Sequence, residues 1–197
     1  MKYPSFFDNI PPIILKDELA GFLGSAEEGI LEIRYLDVVK MAGHSCGVVA
    51  GAWMMAQKGL KTLYGDDLPQ RGHIKVELRR QPEEDNAGVT GSVLSNITGA
   101  AYGNLGFSGI QQGRFARRHL LHFGVDMAAD VRLTRMDTGA SVGLVYRPGK
   151  VVNPKAILMS AIGPQATPES KESFPRRWQE MVNTLLNHAE EVVDIVD

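Results

Sequence analysis

Apolar and polar positions alternate over residues 30–35, with Leu31, Ile33 and Tyr35 on one side and Ile30, Glu32 and Arg34 on the other. That period of two predicts a strand. Residues 48–59 behave differently: they are nearly uncharged, show no alternation and stop at Gly59, which predicts a buried helix. Alternation returns over 73–79, where Ile74, Val76 and Leu78 oppose His73, Lys75, Glu77 and Arg79, the mark of a half-exposed strand. A turn is expected at Pro82-Glu83-Glu84-Asp85, a short helix over 89–97 closed by Gly99, and a tight loop at Gly103-Asn104-Leu105-Gly106. Three more strands are read over 120–125, 130–136 and 141–146, the last two joined by the hairpin signal Asp137-Thr138-Gly139-Ala140, and a further one over 156–161.

From Phe174 to Val196 apolar residues recur every three or four positions, which predicts one long amphipathic helix with Pro175 in its first turn and a stripe for core or dimer packing. At the other end, Pro11-Pro12 forbids regular structure and residues 15–23 predict one short helix stopped by Gly24. The chain thus divides into an N-terminal extension (1–28), a central domain (29–165) and a C-terminal helix (166–197). Strands and helices do not alternate strictly. The expected fold class is therefore α+β, with a mostly antiparallel mixed sheet covered by helices.

Length and composition narrow the function classes. A chain of 197 residues suits one domain with terminal additions. Its 21 basic and 23 acidic residues give a net charge of -2, which argues against a general electrostatic grip on nucleic acid. The N-terminus lacks the marks of a secretory signal, and no run of about 18 apolar residues could cross a membrane, so a cytoplasmic location is expected. Cys46 is the one cysteine. An internal disulfide is excluded, and a reducing compartment is expected.

The sharpest local chemistry is His44-Ser45-Cys46, placed between Gly43 and the predicted helix. Inside a helix, positions two apart point to nearly opposite sides, but in a loop or first turn an imidazole and a thiolate can grip one ion. A helix N-terminus also favours the thiolate that metal binding and nucleophilic attack both require. Other candidates weigh less. His119 and His122 would diverge on a strand, while His73 and His188 fall on polar faces. Arg114, Arg117 and Arg118 form a basic cluster that could hold an anion or lie in an exposed loop. Trp53, Met54 and Met55 read as helical core. The glycines of residues 99–106 lack the Gly-x-Gly-x-x-Gly register of a dinucleotide site.

Residues 36–46, ending Ala42-Gly43-His44-Ser45-Cys46, resemble the His-Gly-His-x-Cys-Pro-Gly segment of the FmdE family, which takes its name from a component of formylmethanofuran dehydrogenase. Glu84-Asp85-Asn86-Ala87-Gly88-Val89 is similar to that family's Glu-Asn-Asp-Ala-Cys-Gly-Val-Asp segment. Gly99-Ala100-Ala101-Tyr102-Gly103-Asn104-Leu105 is similar to its Gly-Cys-Thr-x-Gly-Lys-Gly-Asn-Leu loop. The three motifs occur in order, and the resemblance covers roughly residues 30 to 150. It implies an α+β domain distantly like the catalytic domain of glyceraldehyde-3-phosphate dehydrogenase, a homodimer, and a metal site, usually zinc, at His44 and Cys46. It also implies association with formylmethanofuran dehydrogenase, an oxidoreductase complex, or with related one-carbon metabolism. Several positions depart from the pattern: Ala42 replaces a His, Gly47 and Val48 replace Pro and Gly, Ala87 and Ala100 replace cysteines, and Thr90 replaces an acidic residue. A structural zinc wants about four nitrogen or sulfur ligands. With only His44 and Cys46 carried over, Asp85 becomes the expected third ligand, and water, another histidine or a second protomer would complete the set.

Three readings follow. In the first, Cys46, His44 and Asp85 hold a zinc-like ion, which suits a mixed sulfur and nitrogen set better than magnesium or calcium. In the second, Cys46 is an enzyme's activated thiol, assisted by His44. In the third, the chain is a dimeric binder of a tetrapyrrole or pterin, with Cys46 or His44 as an axial ligand.

Overall fold

A computed structural model describes residues 2–196. Strand β1 (Ile13–Lys16) leads through Asp17 into helix α1 (Glu18–Phe22), and β2 (Ile30–Ile33) returns antiparallel to β1 as a two-stranded sheet. Helices α2 (Tyr35–Ala42) and α3 (Gly47–Tyr64) follow, then β3 (Ile74–Leu78), α4 (Ala87–Thr98), β4 (Leu121–His122), β5 (Val131–Arg135) and β6 (Ser141–Tyr146). The chain closes with α5 (Pro154–Ile162), α6 (Pro168–Asn187), α7 (Ala189–Val192) and β7 (Val193–Val196). The second sheet has the order β4-β3-β5-β6-β7, parallel between β3 and β4 and antiparallel elsewhere. The α+β class is therefore as expected. No helix among the described residues is long and apolar enough to cross a membrane.

Register explains the two faces of the larger sheet. Val76, Leu133 and Val142 share a row, as do Leu78, Val131 and Leu144. All six are buried, and α3 packs against β5, β6 and β7 on this side. The opposite face carries Lys75, Glu77, Arg132 and Thr134. There Arg132 donates to both Glu77 oxygens at 2.8 and 3.0 Å. That bidentate contact outweighs burial and holds the Glu77 carboxyl below its ordinary value.

Helix α3 lies close on the sheet because its contact face is built from glycines. A β-carbon at Gly51 would stand 2.5 Å from the Tyr146 ring, and one at Gly59 would stand 2.7 Å from Leu133. Neither distance leaves room for a side chain. The helix thereby brings Trp53, Met54 and Met55 into the core, each at most 3% exposed.

The N-terminal segment shares this core. Ile13 and Leu15 are buried, and Phe7 meets the Tyr35 ring edge-on at 5.1 Å. Asp17 is buried as well, capping α1 by accepting from the Leu19 and Ala20 amides. The same carboxylate accepts from Arg71 at 2.8 Å and Arg117 at 2.6 Å. Burial pushes this carboxyl up, but the Arg71 hydrogen bond and the Arg117 charge together hold it below its ordinary value.

Several sequence expectations need correction: α3 runs past the expected stop at Gly59 to Tyr64, and the strand expected over 30–35 ends at Ile33, with Tyr35 opening α2. The helix expected over 15–23 starts only at Glu18, because residues 13–16 pair with β2 and Asp17 then supplies the cap. The strand expected over 120–125 shrinks to Leu121–His122. The strand expected over 156–161 is helix α5: Asn153 caps it by accepting from Ala156, and Pro154 occupies the first turn. The single helix expected from 174 to 196 is divided. It starts earlier, at Pro168 behind a Thr167 and Ser170 capping box, carries Pro175 inside, and ends at Asn187. Its final stretch pairs instead with the open edge of β6, a place that suits β-branched Val193, Ile195 and Val196.

Two stability effects follow. Gly51→Leu is expected to lower unfolding free energy by about 1–3 kcal/mol through overpacking against Tyr146, read from urea titration. Asp17→Asn is expected to cost about 3–5 kcal/mol at neutral pH by leaving the two guanidinium groups without their carboxylate. Because folding depresses the Asp17 pKa, its contribution is complete above the ordinary value of 3.8 and is lost as pH falls through the folded-state value. The gap between wild type and Asp17→Asn should therefore narrow between titrations at pH 7 and at about pH 2.

Candidate functional site

The loop between α2 and α3 is set by glycines at its ends. Gly43 stops α2 in the left-handed region at φ 79°, and its amide closes the helix on the Val39 carbonyl. Three residues later the chain re-enters a helix, with Cys46 as the N-terminal cap of the 18-residue α3. His44, Ser45 and Cys46 are thus presented where a loop enters α3, as their sequence context predicts, while the preceding helix α2 is an addition to that expectation. Cys46 is partly buried and His44 is exposed.

The His44 ring is oriented by its own backbone, since Nδ1 lies 3.0 Å from the Ala42 carbonyl oxygen. A carbonyl can only accept, so Nδ1 carries the hydrogen. In the neutral ring Nε2 is left with a free lone pair.

Ser45 is fixed from two sides. Its hydroxyl shares a hydrogen bond with the buried Tyr35 hydroxyl at 3.1 Å. Its carbonyl accepts from Trp178 Nε1 at 3.2 Å and from Gln179 Nε2 at 3.1 Å, both on α6. The C-terminal helix therefore clamps the residue next to Cys46. Tyr146 completes the surroundings: its ring covers Gly51, and a β-carbon at Gly47 would lie 3.7 Å from its hydroxyl. That hydroxyl is buried and has no hydrogen-bond partner among the described residues. Burial pushes the Tyr35 and Tyr146 hydroxyls above the ordinary tyrosine value, and a charge on the Cys46 sulfur pushes both the same way. Both phenols remain protonated at neutral pH and available as donors.

Beside Tyr146 lies a cavity of about 180 Å³, bordered also by Val48, Arg80, Asp85, Ala87 and Thr90. Val48, two residues past Cys46, and the turn around Asp85 thus border one depression, while His44 and Cys46 themselves lie outside its wall. Asp85 sits in the turn before α4 at φ 47° and is paired with Arg80. Among the described residues, no three His, Cys, Asp or Glu side chains gather closely enough to hold a metal ion. His44, Cys46 and Asp85 accordingly do not form a ready three-ligand set in this conformation.

The remaining candidates scatter. His119 Nε2 meets the Asn104 side chain at 3.1 Å, and His122 Nε2 meets the His119 carbonyl at 2.9 Å. His73 is half exposed beside Glu18, as its polar face predicts. His188 departs from expectation: it is partly buried at the end of α6, with Nδ1 on the Thr184 carbonyl. The basic cluster separates into Arg117, buried with Asp17, and two exposed residues, of which Arg114 lies over the Phe22 and Phe115 rings.

Tyr35, Tyr146 and Gln179 were not legible as site residues, and Trp178 reads in sequence only as one step of a packing stripe. The single available hint was the i, i+4 spacing of Gly47 and Gly51, which signals a close neighbour on that face of α3 without naming it. No protein-family model matches the sequence, and no curated protein matches it.

Removing one clamp donor by Trp178→Phe should cost about 1 kcal/mol, measured by urea titration, because Ser45 keeps its bond to Gln179. Combining it with Gln179→Leu should cost more than twice as much, since a carbonyl without any donor bears its full desolvation penalty.

Proposed function

We propose that this chain is an FmdE-like protein that binds a zinc-type ion through Cys46 Sγ and His44 Nε2. The observation that carries this reading is the hydrogen bond from His44 Nδ1 to the Ala42 carbonyl. Metal-binding histidines commonly donate their second ring N–H to a carbonyl or carboxylate, which fixes the tautomer and raises the basicity of the ligating nitrogen. His44 has this arrangement two residues from the one thiol. The cavity gives further support, because it joins Val48 of the first motif with Asp85, Ala87 and Thr90 of the second.

The donor set fits a borderline-soft ion that keeps open positions. Two protein ligands leave room for water, a small ligand or a side chain from a second copy, and Asp85 becomes available when Arg80 releases it. A bound zinc would act as a Lewis acid and acidify water held at an open position. The protein's part is to fix the turn through Tyr35, Trp178 and Gln179, and to offer the protonated Tyr146 hydroxyl as a hydrogen-bond donor. Association with formylmethanofuran dehydrogenase or a related one-carbon oxidoreductase belongs to the same proposal and rests on the motif resemblance. A tetrapyrrole gains no support beside Tyr146, where 180 Å³ is below the roughly 300–1,000 Å³ of ordinary small-molecule pockets.

Elemental analysis of protein purified without chelator is expected to find about one zinc per chain, with loss in Cys46→Ser and at least tenfold weaker binding in His44→Ala. Zinc should also slow iodoacetamide labelling of Cys46. Equal zinc content in wild type and Cys46→Ser would refute the reading. Rapid labelling unaffected by zinc would transfer support to the activated-thiol alternative.

A further inference from the structure

A wider depression lies elsewhere, open to solvent and about 510 Å³ in volume, which falls within the size range of small-molecule pockets. Its wall combines apolar Leu31 and Phe107 with Ser95 of α4 and with the Asp17, Arg71 and Arg117 cluster. This mixture of apolar surface and a few convergent polar groups is typical of a binding site rather than of a packing defect.

The charges in that wall do not balance. Asp17 is one carboxylate facing two guanidinium groups, with Asp17 and Arg117 3% and 7% exposed. Arg71 is well provided for: beyond Asp17, its Nε donates to the Ile97 carbonyl and its Nη2 to the Asn96 carbonyl. Those carbonyls close α4, where the helix dipole is negative. Arg117 has only its Nη2 bond to Asp17, and its Nη1 is buried without an acceptor among the described residues. Glu18 is the next acidic group acting on Arg117, and it stands half exposed opposite His73. A buried cation with an unused donor is costly unless an anion meets it.

The backbone makes room for this guanidinium. Gly72 and Gly99 flank Nη1, and β-carbons there would stand 1.6 and 2.8 Å from it, with both residues at positive φ. Gly99 closes α4 and also lines the cavity. Nη1 is therefore seated against these glycines, and Arg117 together with Gly99 also borders the cavity, so that a small shift of the guanidinium brings Nη1 to it.

We propose that this cavity is an anion site, in which Arg117 receives one carboxylate or phosphoryl group of a small molecule whose apolar part rests on Leu31 and Phe107. The site is independent of the zinc reading, because it shares no residue with the Cys46 turn.

The test is thermal denaturation with inorganic phosphate or acetate, each compared with sodium chloride at equal ionic strength. A rise of about 5 °C or more over chloride is expected at saturating anion. A response to phosphate alone assigns a phosphoryl ligand, and a response to acetate alone assigns a carboxylate. Ser95→Phe, which fills the cavity and leaves the ion pairs in place, should abolish the rise. Arg117→Lys, which keeps a charge for Asp17 but lacks the fork, should reduce it at least tenfold in anion affinity. No rise over chloride in wild type, or a rise that persists in Ser95→Phe, would overturn the proposal.

Discussion

The close approach of α3 to the sheet is the constraint from which the rest of the architecture follows. Gly51 lets the Tyr146 ring lie against the helix, and Gly59, about two turns further on, does the same for Leu133. With those spaces occupied by rings and methyl groups, the helix axis has no freedom to lift or slide. Its first residue, and hence Cys46, is held at a fixed height beside the end of β6. Through Tyr146 it is tied to β6, the strand beside the β7 border of the five-stranded sheet.

A second anchoring point joins parts of the chain that are distant in sequence. Asp17 precedes α1, Arg71 precedes β3 and Arg117 lies in the long loop before β4, yet all three meet. This loop has little regular structure, and its course is set by the Arg117 side chain and by the amides of Ala101 and Arg117, which bond to the Arg117 and Phe107 carbonyls respectively. Charge pairing in a nearly dry setting restricts geometry more than it adds net stability. The network thus specifies where the glycine-rich loop runs.

Much of the fold was readable from periodicity, and the failures have physical causes. Residues 73–79 alternate because Ile74, Val76 and Leu78 are buried in the core while Lys75 and Glu77 share the opposite face with Arg132. Residues 47–64 do not alternate because α3 is buried nearly all round. Residues 156–161 are a short apolar run that fits helix or strand, and the deciding signal, Asn153-Pro154, stands upstream of it. Val193 and Val196 fit an apolar stripe at helical spacing as well as they fit a strand, so only the vacant edge of β6 decides. At the candidate site, the His44 to Cys46 turn was legible since its glycines and its helix are local. Trp178 and Gln179 stand 133 and 134 residues beyond Ser45, Tyr146 comes from the far end of β6, and no local pattern encodes that meeting.

Strand β7 forms one border of the larger sheet and leaves a row of backbone groups without a neighbouring strand. Such borders invite other chains to stack on them. This one is four residues long, and Asp194 within it is gripped by Lys150 at 2.6 Å and approached by Arg147 at 3.4 Å. Any second molecule adding a strand there would have to displace or bury that charged group. The border is thereby guarded against fibre-like growth, so the exposed Leu158, Met159 and Ile162 of helix α5 stand apart from any sheet edge that could extend such contacts into a fibre.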